Sequence, residues 1–124
     1  MARILVVEDE PNISGIILFK LRREGHDARL VEDAPGAVAA AREHASEVIL
    51  LDSTLPGGDA FDILADLAGE AAVVVMTELH DETTPGRALA AGAAATVRKP
   101  FKPTVLAHLV DRLATGRSGG VMGA

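Results

Sequence analysis

Four short apolar runs constrain this chain more than any other feature: Ile4-Leu-Val-Val7, Val48-Ile-Leu-Leu51, Ala72-Val-Val-Val-Met76 and the weaker Ala95-Thr-Val97. None alternates apolar with polar residues, so each needs cover on both faces, which is the situation of a strand inside a parallel sheet. A shorter, mixed stretch over Ala28–Val31 fits an edge strand. Amphipathic stretches of helical length separate the runs. Pro11–Glu24 carries Ile13, Ile16, Ile17, Leu18 and Leu21, starts with a proline suited to a first helical position, and stops at Gly25. Ala34–His44 is alanine-rich. Phe61, Ile63, Leu64 and Leu67 predict a third helix ending at Gly69, Thr84–Ala91 a fourth ending at Gly92, and Pro103–Leu113 a fifth. Strand and helix thus alternate five times, which predicts a single α/β domain, a doubly wound (βα)5 parallel sheet with helices on both faces. The domain is expected over 1–115, with 116–124 a Gly-rich flexible tail or linker stub.

Composition excludes several classes of function. The 124 residues include no cysteine, so disulfides, thiolate metal sites and cysteine nucleophiles are ruled out. The net charge is −6 with no basic stripe, which argues against direct nucleic-acid binding by this domain. No run approaches the roughly 20 apolar residues of a membrane span, and the apolar segment Ile4–Val7 meets Glu8, Asp9 and Glu10 at once, unlike a signal peptide. A cytoplasmic protein with no membrane attachment is expected.

In an open α/β sheet, ligands gather outside the carboxyl ends of the strands. Glu8 and Asp9 follow the first run, Asp52 ends the third strand, Thr77 ends the fourth, and Lys99, followed by Pro100, comes after the fifth. Three crowded carboxylates raise one another's pKa, and a hard cation such as Mg²⁺ relieves that conflict while sharing its shell with phosphate. Asp52 is then a carboxylate nucleophile for phosphoryl transfer, Lys99 a point charge for the phosphoryl oxygens and Thr77 a hydroxyl donor to them. Taken singly, each residue has an ordinary reading as helix cap, turn or solvated surface; their conjunction at four strand ends carries the argument. The four histidines show no i, i+4 metal spacing and are expected at the surface. Met76 is expected in the core, and Asp59 as a helix N-cap.

The segments Ile4-Leu-Val-Val-Glu-Asp-Glu10, Leu50-Leu-Asp-Ser-Thr-Leu-Pro-Gly-Gly-Asp59, Val75-Met-Thr77 and Arg98-Lys-Pro-Phe101 resemble the receiver domains of bacterial two-component response regulators, over about residues 2 to 115. The resemblance implies a flavodoxin-like sheet of strand order 2-1-3-4-5 and a phosphorylation-dependent switch rather than a turnover enzyme. It implies that Asp52 accepts its phosphoryl group from a sensor histidine kinase. Mg²⁺ would be held by Asp9, Asp52 and the Thr54 backbone carbonyl directly and by Glu8 through water. A cis Lys99–Pro100 bond would also be family-like, as would a homodimer or downstream partner on the face of the fourth helix, fifth strand and fifth helix.

Three features depart from the family pattern. Thr96 stands where a switch aromatic usually pairs with Thr77, which predicts an altered switch. Glu78 stands where a small residue usually gives the phosphodonor access, which predicts a narrowed, more negative entrance or a side chain turned to solvent. Ala93–Ala95 and Val105 replace charged positions of one dimer interface. A flavin carrier of the same topology is discarded, because Glu8-Asp9-Glu10 would repel its phosphate. An aspartate phosphatase would place its nucleophile after the first strand. A receiver-like interaction module that is not phosphorylated stays the alternative.

Overall fold

Every apolar run expected as a strand is one. A computed structural model describes the backbone of residues 1–123 and the side chains of residues 1–114. Its elements are β1 (Arg3–Val7), α1 (Pro11–Arg23), β2 (Asp27–Val31), α2 (Ala37–His44), β3 (Val48–Asp52), α3 (Ala60–Glu70), β4 (Ala72–Thr77), α4 (Thr84–Ala90), β5 (Ala95–Arg98) and α5 (Pro103–Gly123). The sheet is parallel throughout in the order β2-β1-β3-β4-β5, the doubly wound arrangement that the alternation and the resemblance predicted. The mixed stretch forms the edge strand β2. The expected tail 116–124 coincides with the last turns of α5 and Ala124, and its side chains lie outside the described residues.

Two cores account for the unalternating strands. Leu5, Val7, Ile49, Leu51, Val73 and Val75 face α2, α3 and α4, while Ile4, Val6, Val48, Leu50, Val74 and Met76 face α1 and α5. No helix among the described residues is long and apolar enough to cross a membrane.

Helix ends follow local chemistry with two corrections. Gly25 (φ +89°) and Gly92 (φ +115°) terminate α1 and α4 in the left-handed region that glycine tolerates. Asp59 caps α3, its Oδ1 accepting from the Phe61 N–H at 2.9 Å. Gly69, however, does not stop α3. The helix runs through it to Glu70 and ends where Ala71 turns extended (φ −160°, ψ 174°) to enter β4. Helix α2 begins at Ala37, later than expected, because the Ala34 N–H binds the Pro56 carbonyl at 3.3 Å and the β3–α3 loop presses on Pro35. A Cβ on Gly57 (φ +82°) would lie 2.9 Å from Pro35 Cδ.

The histidines also need correcting. His44 is buried, its Nε2 3.0 Å from the Asp27 carbonyl. The His26 side chain is 7% exposed and lies 3.0 Å from Asp111. Both rings sit at the amino ends of the strands, where they tie α2 and α5 to β2.

Candidate functional site

The strand register brings the polar residues together. Val7 pairs with Val31 and Leu51, Asp52 with Met76, and Thr77 with Arg98. The carboxyl ends of β1, β3, β4 and β5 therefore lie level, and Glu8, Asp9, Asp52, Glu78 and Lys99, at or just past those ends, share one cleft, with Thr77 buried beside it. Thr54 also lines the cleft.

Lys99 is the hub. Its Nζ lies 3.0 Å from Asp52 Oδ1 and 3.3 Å from Glu8 Oε2. Burial works to depress its pKa, but the hydrogen bond and charge of Asp52, with those of Glu8, outweigh burial and hold the ammonium above its ordinary value. Its backbone is fixed by the Lys99 N–H donating to the Thr77 carbonyl at 2.8 Å, next to the cis Lys99–Pro100 bond.

Glu8 is the strained member. It is fully buried, and burial first, then the hydrogen bond and charge of Asp52, push its carboxyl from 4.5 up to about 7 against the pull of Lys99. Its Oε1 accepts from the Glu10 N–H at 3.2 Å, while its buried Oε2 has the Lys99 ammonium, 3.3 Å away, as its ion-pair partner and makes no well-formed hydrogen bond. Glu8, Asp9 and Asp52 each offer an oxygen, all within 4.8 Å of one another. Three carboxylates that close, balanced by a single ammonium, are an oxygen-rich donor set of the kind a hard divalent cation takes, so these residues fit Mg²⁺.

A second group, Glu24, His26 and Asp111, has similar spacing, but His26 Nδ1 accepts the Ala2 N–H at 3.0 Å. The neutral ring then carries its proton on Nε2, facing Asp111, and offers no lone pair there to a metal.

Thr77 is buried at the end of β4, with its hydroxyl donating to the Val97 carbonyl at 3.4 Å rather than reaching Asp52. Thr96 is half-buried on β5 and lines a groove against Val105, His108 and Leu109 of α5. The Thr54 side chain went unremarked in the sequence, where only its backbone carbonyl drew notice. Its N–H donates to Asp52 Oδ1 at 3.2 Å and its hydroxyl to Glu78 Oε1 at 3.1 Å. A hydroxyl two residues after Asp52, opposite an out-of-pattern Glu78, was the available signal.

Fold and site together define a carboxylate–lysine cleft on a flavodoxin-like sheet. The chain belongs to the response regulator receiver domain family, whose model matches residues 4–111. It is 37% identical over 106 residues to the DNA-binding response regulator MtrA of Mycolicibacterium smegmatis, covering 84% of this chain and 46% of that protein. Among solved structures, NtrX from Brucella abortus superposes with a TM-score of 0.87 at 30% identity, over 98% of this chain and 29% of that one. The BeF3-activated N-terminal receiver domain of Klebsiella pneumoniae RstA superposes with a TM-score of 0.83 at 25% identity, over 90% and 97%. The chain spans just under half the length of the curated relatives it matches.

Proposed function

We propose that this receiver is a signalling switch that accepts a phosphoryl group on Asp52 from a sensor histidine kinase. The observation that carries the reading is Lys99 Nζ standing 3.0 Å from the would-be nucleophile and 3.3 Å from Glu8 in one cleft with Asp9. In the transfer, an Asp52 carboxylate oxygen forms the new P–O bond. The donor's P–N bond breaks, and its electron pair leaves with the imidazole. Lys99 balances charge on the phosphoryl oxygens, and the Thr54 N–H holds the Asp52 carboxylate in place. Asp9, Asp52 and the Thr54 backbone carbonyl would hold Mg²⁺, with Glu8 acting through water; the ion would supply charge neutralisation for the incoming phosphate.

The Thr77 hydroxyl is turned to β5 and leaves the Val97 carbonyl when it swings to a phosphoryl oxygen. With Thr96 in place of an aromatic, that lost bond, rather than a ring flip, carries the signal into the face formed by α4, β5 and α5. A downstream protein or a second copy reads that face. In this reading the domain is cytoplasmic and a switch rather than a turnover enzyme, and its acidic surface leaves nucleic acid to other domains.

The test is intact-mass measurement after incubation with Mg²⁺ and either acetyl phosphate or autophosphorylated sensor kinases. One phosphoryl group is expected on the native chain and none on Asp52→Asn. If the native chain takes none from any donor, the domain is an interaction module instead.

A further inference from the structure

We infer that Glu78, held across the cleft mouth by the Thr54 hydroxyl, is a specificity-determining residue that slows entry of small anionic phosphodonors. The inference rests on Asp52 being the acceptor. The Thr54 hydroxyl donates to Glu78 Oε1 at 3.1 Å and lies 3.5 Å from Asp52 Oδ1, so one hydroxyl links the rim to the acceptor. Having a single proton, it serves the nearer carboxylate, Glu78.

Both ends of this strap are anchored. On one side the Thr54 N–H binds Asp52 Oδ1 at 3.2 Å, and the Ser53 N–H donates to the Met76 carbonyl at 2.9 Å. On the other, the Glu78 carbonyl accepts from the Asp81 N–H at 3.2 Å, and Arg98 Nη1 donates to the Leu79 carbonyl at 2.6 Å. Asp81 in turn accepts from the N–H groups of Thr83 and Thr84 at the start of α4. With the backbone pinned, holding Glu78 costs only the rotamer entropy of its own side chain.

Charge gives the strap its selectivity. Lys99 is the one cation lining the cleft among the described residues, and Glu8, Asp9 and Asp52 already surround it. The cleft is open and of about 730 Å³, so size does not exclude acetyl phosphate. The Glu78 carboxylate does oppose it, because it lines the same cleft as Lys99 and adds negative charge to the field a dianion meets there. Once inside, the reaction is the same: the Asp52 oxygen bonds phosphorus, the P–O bond to the acetyl group breaks, and acetate leaves with the electron pair. A protein donor draws binding energy from contacts outside the cleft and can displace the strap with it; a small anion has none to draw on.

The experiment measures the rate at which the full chain gains a phosphoryl group from acetyl phosphate with Mg²⁺, for native, Glu78→Gln, Glu78→Ala and Thr54→Val proteins. Removing a like charge at the mouth should raise the rate about five- to tenfold in both Glu78 variants. Thr54→Val should raise it too, and should add little when combined with Glu78→Ala. Raising the salt screens the repulsion, so the native-to-Gln rate ratio should move toward one, a response that a packing role would not give. Phosphorylation at equal rates in native and Glu78→Ala proteins, or a ratio indifferent to salt, overturns the strap while leaving Asp52 as acceptor. No phosphorylation of any of the four by acetyl phosphate overturns the strap, and if autophosphorylated sensor kinases also fail on the native chain, Asp52 falls as acceptor too.

Discussion

Glu8 shows what a single side chain costs and gains in this cleft. It is fully buried, and burial, with Asp52 beside it, raises its carboxyl from 4.5 to about 7. The folded chain therefore binds this proton more tightly than the unfolded chain. The resulting stability is fully present below pH 4.5 and is lost as pH rises through 7, in all about 3 kcal/mol. Metal-free native protein should accordingly lose stability to urea between pH 5 and pH 8, and Glu8→Gln should flatten that decline. An equally steep decline in Glu8→Gln would assign the effect elsewhere. Its position after an apolar run made Glu8 legible as a site residue. Its complete burial was not, because that depends on β2 and β3 closing over β1 from either side. The histidines show the same limit. Ala37, Ala41 and His44 are all buried on α2, and their i, i+4, i+7 spacing placed His44 inward, whereas histidine as a residue type suggested the surface.

Helix α3 separates local signals from tertiary ones at the scale of an element. Its N-terminus is a local event, the Asp59 cap on the Phe61 N–H, and sequence alone announced it. Its C-terminus is tertiary. Gly69 has nothing within 4 Å of a would-be Cβ, so the helix crosses it at a glycine's ordinary cost of about 1 kcal/mol and stops only where Ala71 must join β4. The strands were legible because burial on both faces writes itself as unbroken apolar residues. The start of α2 was hidden because Pro35 packs against a loop about 20 residues away in the chain, which no local pattern reports. Energies should rank the same way. Asp59→Ala should cost about 1 kcal/mol, whereas Leu64→Ala, which opens a hole among residues of the fully buried core, should cost about 2–5 kcal/mol. Urea denaturation checks the order, and a larger loss for Asp59→Ala would mean that α3 is held by its cap rather than by its packing.

Across the whole molecule, repulsion and cohesion occupy opposite ends of one sheet. At the amino ends of the strands, His44 meets the Asp27 carbonyl and His26 meets Asp111 and the Ala2 N–H, all at 3.0 Å. These contacts lock α2 and α5 to β2. At the carboxyl ends, Glu8, Asp9 and Asp52 crowd within 4.8 Å around one lysine. The unfolded chain has no such constellation, so a cation bound there stabilises the fold by mass action: about 2.7 kcal/mol at a hundredfold excess over its Kd. For a domain of this size that corresponds to a rise in Tm of about 10 °C. Binding must also displace the proton that Glu8 holds up to about 7, so the rise should be larger at pH 8 than at pH 5.5. Thermal melts with and without Mg²⁺ at the two pH values test this, with Asp9→Asn as control. The expected pattern is a pH-dependent rise in the native chain and almost none in Asp9→Asn. A rise of the same size in both would place the ion elsewhere, and no rise in either would remove Mg²⁺ from this site.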